Sequence, residues 1–292
     1  MQLVVATAMA PMVVFALVAA LMVAAQQREE TRHDAIGRAR AAMSAVDAHL
    51  RGAMLSLGTL AVSKSLENRD VAAFHEESQR VLRTQPAWEN IGLASAAKTQ
   101  LSNAVEPFAR PVPIGNIDDS FEAVLRGAKA GFSDVMPGPA VLAPTVRVRI
   151  PVTYGEEVRY VISAPLNLRH LNALLEAQGL PHDWEIALID RHQRVIAREP
   201  EAPVGVEVPQ AFRDEIRRAP QGWFRGQTLD ERSAYVAYVT SELTGWVLGI
   251  SIPAEEVEAG ERRTYAIIGF GFVFALAAAM LFATIATRDM HS

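Results

Sequence analysis

The chain has 292 residues, half of them hydrophobic, a formal net charge of −5 and no cysteine. The negative balance, with no Lys/Arg-rich patch, argues against a nucleic-acid partner. The absence of cysteine removes disulfides, Cys–zinc sites and thiol nucleophiles.

The first 25 residues form an apolar run without a basic leading segment, longer than the core of a signal peptide and followed by a poor cleavage match at Ala24-Ala25-Gln26. They are read as an uncleaved membrane span. A second charge-free run, residues 264–287, lies between Arg263 and Arg288. At 1.5 Å per residue, either run can cross a bilayer core of roughly 30 Å. Two spans put both termini on one side and the polar middle on the other. Arg28, Arg32, Arg262 and Arg263 on the domain side weakly oppose an outside domain, but long domains translocate largely regardless of charge. Small residues recur every fourth position at Ala16, Ala20 and Ala24, and again at Gly271, Ala275 and Ala279. That spacing suits close helix approach in lipid; it also follows from an Ala-rich composition.

After Gln26 the pattern stays helical. Ile36, Met43, Val46, Leu50, Met54, Leu57 and Ala61 make one apolar stripe, and no proline interrupts the passage out of the membrane. Asn68 and Asp70 are cap candidates for a second helix over residues 71–84, stopped by Pro86.

From Trp88 the period falls to two. Residues 88–94 read as a strand, 96–99 as a turn and 100–105 as the return strand. A Pro-rich loop follows, then a short helix over 121–130 capped by Asp118-Asp119-Ser120, and a second loop over 135–144. Residues 145–153 alternate clearly, with Val146, Val148, Ile150 and Val152 on one face and Arg147 and Arg149 on the other. A return strand over 158–165 and a helix over 168–178 complete the unit.

The order then repeats. Residues 184–190 and 194–198 make a hairpin, 209–219 a helix, and 222–228, 233–240 and 246–252 a three-strand meander. Trp88-Glu89 and Trp184-Glu185 begin equivalent hairpins, an internal repeat of 96 residues. Two strands, a helix, then two or three strands make an antiparallel sheet with helices against it, an α+β class. Residues 253–261 return to helix and lead into the last span.

The local patterns Trp88-Glu-Asn-Ile-Gly-Leu with Asn103 and Pro107, Trp184-Glu-Ile-Ala-Leu-Ile-Asp190, Gly222-Trp-Phe-Arg-Gly and Gly245-Trp-Val-Leu-Gly-Ile-Ser resemble the double Cache sensor domains of bacterial membrane receptors, most of all those of histidine kinases. The resemblance implies a long N-terminal helix and two tandem PAS-like antiparallel-sheet modules, flanked by two transmembrane helices. The implied division is a span at 1–25, long and following helices at 26–85, a membrane-distal module at 86–180, a membrane-proximal module at 181–253, a juxtamembrane helix at 254–263, a span at 264–287 and a tail at 288–292. Family members continue into an enzyme or signalling module; here five residues follow the second span. The expectation is a truncated or split gene, or a sensor that signals to a separate output protein.

No H-x-x-x-H or H-E-x-x-H spacing occurs among the seven histidines, and there is no G-x-S-x-G elbow or phosphate loop. Neither catalysis nor a cofactor nor a metal is expected. Arg147 and Arg149 are the leading ligand residues, because paired guanidiniums hold a carboxylate or phosphate. The resemblance places the matching positions in the distal ligand cavity, with Trp88, Asp134 and Tyr160 as its other walls. Solvated arginines paired to nearby acids are the alternative. The amino-acid-sensing subgroup carries an Asp late in its strand where this chain has Pro165, so a small organic anion is expected rather than an amino acid. The expected partners are that ligand, the bilayer, a second copy packed through the long helix and the spans, and an output protein. The alternative is an interaction or dimerisation module without a ligand. Trp184, Trp223 and Trp246 are read as packing residues.

Overall fold

The computed structural model describes residues 2–115, 117–136 and 144–259, together with residues 266, 269–271 and 277. The first element, α1 (Gln2–Ala61), is one uninterrupted helix of 60 residues, about 90 Å long at the α-helical rise. Ala35, Ala39, Ala42, Met43, Val46, Leu50, Ala53, Leu57 and Leu60 are buried on it, all but the adjacent Ala42 and Met43 at intervals of three and four. The apolar stripe is thus half built of alanines, which let strands approach the helix closely. The expected second span falls largely outside the described residues. Among the described residues no helix is long and apolar enough to cross a membrane.

A one-turn α2 (Lys64–Glu67) and α3 (Val71–Leu82) follow. Asp70 caps α3 by accepting from the Ala73 N–H at 2.9 Å, the role its position predicts. The first sheet contains β1 (Gly92–Ser95), β2 (Thr99–Asn103), β3 (Val112–Pro113), β4 (Gly131–Phe132), β5 (Arg147–Tyr154) and β6 (Glu157–Pro165), with α4 (Asp119–Gly127) on one face. The inter-module helix α5 (Leu168–Glu176) leads to the second sheet of β7 (Glu185–Ile189), β8 (Val195–Glu199), β9 (Gln221–Gln227), β10 (Ser233–Thr240) and β11 (Val247–Pro253), with α6 (Gln210–Arg218). A last described helical stretch covers residues 254–259.

The sheet orders are β3-β2-β1-β6-β5-β4 and β8-β7-β11-β10-β9. Without the two-residue edge strand β3, the two sheets follow the same path through the same antiparallel neighbours. The sequence repeat is therefore a structural one, with α4 and α6 in equivalent places. β1 begins later than its period suggests. Trp88 makes only an isolated bridge to Leu166, and the Asn90 side chain accepts from the Ile91 N–H at 2.7 Å, a local bond that competes with the ladder. β2 ends early for a similar reason, since Asn103 Oδ1 accepts from the Val105 N–H at 3.2 Å and turns the chain.

Both sheets lie against α1: β5 of the first, and β10 and β11 of the second. The main core runs continuously from one module to the other along this helix. Trp246 is fully buried, whereas Trp184 and Trp223 are half-buried, Trp223 stacking on Tyr235 with ring centroids 5.3 Å apart.

Candidate functional site

The site begins with the alternation of β5. Val146, Val148, Ile150 and Val152 point into the main core. Arg147 and Arg149 occupy the opposite face, which α4 covers, so the second face of this strand is not solvated throughout. Arg149 is only 6% exposed. Its fork is nearly filled: Nη2 meets Asp118 Oδ2 at 2.6 Å, Nε donates to Ser120 Oγ at 2.9 Å and Nη1 donates to Ser163 Oγ at 2.8 Å. The Phe121 ring lies beneath it at 5.3 Å. Asp118 is also the N-cap of α4, accepting from the Phe121 N–H at 2.9 Å. One carboxylate therefore starts the helix and pins it to the sheet. Burial pushes the Asp118 carboxyl upward, but the Arg149 charge and the hydrogen bonds from Ser120, Phe121 and Arg149 outweigh it and hold it below its ordinary value.

Arg147 is different. Its backbone N–H donates to Ser133 Oγ at 2.8 Å, and Nη1 reaches the thioether sulfur of Met136 at 2.7 Å. It forms no salt bridge among the described residues, while its neighbour does. Burial and then the positive Arg149 lower its pKa, against the weaker opposing pull of Asp118 and Glu89. A guanidinium stays protonated under such pressure, so this face of β5 keeps an under-compensated positive charge. A thioether is a weak acceptor for it. Across the strand pair Arg147 faces Pro165, which brings no carboxylate. Met136 and Thr145 bridge at the base of the adjoining segment.

The structure does not gather the other expected wall residues around the two arginines. Tyr160 lies opposite Val152 on the apolar face, edge-on to Tyr154 at 6.2 Å, because strand alternation turns it away from Ser163 and Pro165. Trp88, opposite Leu166, is buried in the main core. Asp134 holds the next module. Its carboxylate accepts from the Arg191 backbone N–H and Nε, both at 3.0 Å, and lies 3.4 Å from His192 Nε2. Beside it, the buried Asp190 accepts from the Val135 N–H at 3.0 Å, and Phe132 packs edge-on against Trp246 at 5.8 Å. The segment from β4 to Met136 therefore touches Arg147 at one end and the proximal module along its length. Ser163 and Met136 carry no signal in the sequence, and Asp118 and Ser120 read there only as caps. The acidic position of Asp118 one strand-helix step from two arginines was the available signal.

The proximal module has a small cavity of about 40 Å³, lined by Glu185, Arg198, Phe212, Thr228, Val236 and Gly249 among others. That is room for a few water molecules, far below the several hundred Å³ of a metabolite pocket. The arginine that lines it is answered by carboxylates. Arg198 meets Glu185 at 2.7 Å and Asp230 at 2.6 Å, and Arg232 pairs with Glu185. Burial presses the Arg198 pKa down, but the bonds and charges of Asp230 and Glu185 raise it on balance. Among the described residues no group of three or more His, Cys, Asp or Glu side chains is arranged to hold a metal ion.

No protein-family model matches the chain, and no curated protein matches it. Solved structures do share its fold. The extracellular domain of a chain designated histidine kinase rpHK1S-Z16 superposes with a TM-score of 0.62 at 14% identity, covering 81% of this chain and 98% of that one. The ligand-binding domain of the Pseudomonas fluorescens chemoreceptor CtaA, in complex with L-isoleucine, gives 0.57 at 13% identity over 80% and 95%. That of the Pseudomonas aeruginosa amino-acid chemoreceptor PctB, in complex with L-Arg, gives 0.58 at 13% over 79% and 98%. The fold is that of extracellular sensor domains of histidine kinases and chemoreceptors.

Proposed function

We propose that the chain is a membrane-anchored extracytoplasmic sensor, a two-pass protein of a bacterial inner membrane whose central domain faces the periplasm. In this reading its distal module binds a small organic anion, and Arg147 is the residue that takes it. The observation that carries this is the under-compensated guanidinium. Arg149, of the same charge and on the same face, is neutralised by Asp118 and held by two serines, whereas the one side-chain bond of the Arg147 guanidinium among the described residues goes to a thioether. A carboxylate in bidentate contact would supply the missing partner.

The mechanism follows from the segment that touches Arg147. An anion competes with Met136 for Nη1. Because Asp134 and Val135 are bonded to Arg191 and Asp190, displacement of Met136 acts on the proximal module. That module packs on α1, and at its far end Arg28 of α1 donates to the Tyr235 hydroxyl at 2.6 Å while Tyr235 donates to Glu258 at 3.3 Å. A ligand that prefers one arrangement of this chain of contacts shifts α1 relative to the C-terminal helix. The receiver is a histidine kinase-type output module, on a separate protein or in a longer form of the chain.

The solved sensors bound to L-isoleucine and L-Arg favour a second reading, an amino-acid ligand. The test is thermal unfolding of the full chain in detergent micelles with a panel of mono- and dicarboxylates and of amino acids. A shift from a carboxylate that lacks an ammonium group, lost in Arg147→Ala, supports the first reading. A shift from amino acids alone selects the second. No shift across the panel, or an undiminished shift in Arg147→Ala, overturns the site.

A further inference from the structure

Away from this site, two histidines from distant parts of the chain lie ring to ring. His49 stands on α1 between the buried Val46 and Leu50, and His170 in the first turn of α5 beside the buried Leu171. Their ring centroids are 4.9 Å apart, with planes inclined by 35°. His49 is half-buried and His170 exposed. Neither imidazole has a hydrogen bond or ion pair with a described residue, and no nitrogen of His49 is sealed from solvent. Burial, and then the neighbouring His170, hold His49 below its usual pKa. An aromatic pair explains the stacking, but it leaves every ring nitrogen without a partner among the described residues.

We propose that His49 and His170 together bind a divalent transition-metal ion of the zinc, nickel or copper class at the junction of α1 with α5. Imidazole nitrogen suits these ions. Two nitrogens on a tetrahedral ion, at a metal–nitrogen distance of about 2.0–2.1 Å, stand roughly 3.3 Å apart. Two imidazoles held by one such ion have their ring centroids roughly 5 Å apart, close to the 4.9 Å between His49 and His170. With no third His, Cys, Asp or Glu assembled there among the described residues, the remaining coordination positions go to water or an outside ligand. The affinity is then that of a two-donor chelate. The place gives the ion a consequence. α5 joins β6 of the distal module to β7 of the proximal one, and its Asn172 accepts from the Arg198 backbone N–H at 3.0 Å. An ion across His49 and His170 clamps this connector to the helix that runs past both modules. The site is independent of the anion reading and stands if that reading fails.

The test is calorimetric titration of the tag-free full chain in detergent with nickel and zinc chlorides near pH 7, with thermal unfolding in parallel. One ion is expected per chain, with micromolar affinity and a raised unfolding midpoint. His170→Ala, at an exposed position, and His49→Asn are each expected to weaken binding by more than about tenfold and to remove the stabilisation. His182→Ala and His192→Ala are expected to change neither. Absence of binding at millimolar metal overturns the proposal. So does binding that survives His170→Ala.

Discussion

The two modules share a sheet order and differ in how they treat buried arginine. In the proximal module Arg198 and Arg232 are matched by Glu185 and Asp230, and the cavity beside them holds little more than water. In the distal module two arginines share one carboxylate, and the one left over reaches a sulfur atom. A repeated fold thus carries a structural ion network in one copy and an unfinished one in the other. A buried charge in need of a partner is what the proposed anion site rests on; the same residue type with its partners in place serves the fold.

Mutations sharpen that contrast. Arg198→Ala leaves Glu185 and Asp230 with only the half-exposed Arg232, and the expected loss is about 3–5 kcal/mol of unfolding free energy by denaturant titration. If the loss were under about 1 kcal/mol, the proximal network would be ornamental. Phe121→Ala removes the ring beneath Arg149 from a small satellite core, with an expected cost of about 3 kcal/mol by the same measurement. Asp118→Asn should cost about 2 kcal/mol and change the acid limb of stability. The Asp118 carboxyl lies below its ordinary value of 3.8 in the folded chain. Its contribution is therefore fully present above that value and is lost as the pH falls through the lower folded value. A stability-against-pH profile of Asp118→Asn should be flatter in that acid range than the parent; an identical slope would remove the ion pair from the account. The smallest effect is the most telling. Arg147→Met, which removes a charge with no carboxylate partner, should alter stability by less than about 1 kcal/mol in either direction. A loss as large as that of Arg198→Ala would erase the distinction between the modules.

Much of the architecture was legible from local pattern. The stripe on α1, the Asp70 cap and the alternation of β5 all rest on residues within a few positions of one another, and the repeat compares two such local patterns 96 residues apart. The proposed ligand face was legible only in part. Arg147 and Arg149 share a face because they are two residues apart on a strand, and that much needs no tertiary information. Tyr160 and Trp88 were expected beside them, but the register of β6 on β5 and the bridge to Leu166 put both residues in the apolar core. Asp134 was expected in the cavity and instead bonds Arg191, 57 positions along the chain.

The sequence by itself determined the elements, their order, the repeat and the two arginines on one face, because a period of 2 or 3.6 and a capping side chain act over a single turn or strand. Tertiary structure alone decided which arginine is neutral in its surroundings and which is not. Asp118 comes 31 residues before Arg149, and nothing in the spacing tells it to choose Arg149 over Arg147. That choice is made by the position at which α4 docks on the sheet. The meeting of His49 with His170 arises in the same way, from the packing of α5 on α1. Compensation of charge is a property of neighbours in space, and the chain brings those neighbours together only when it folds.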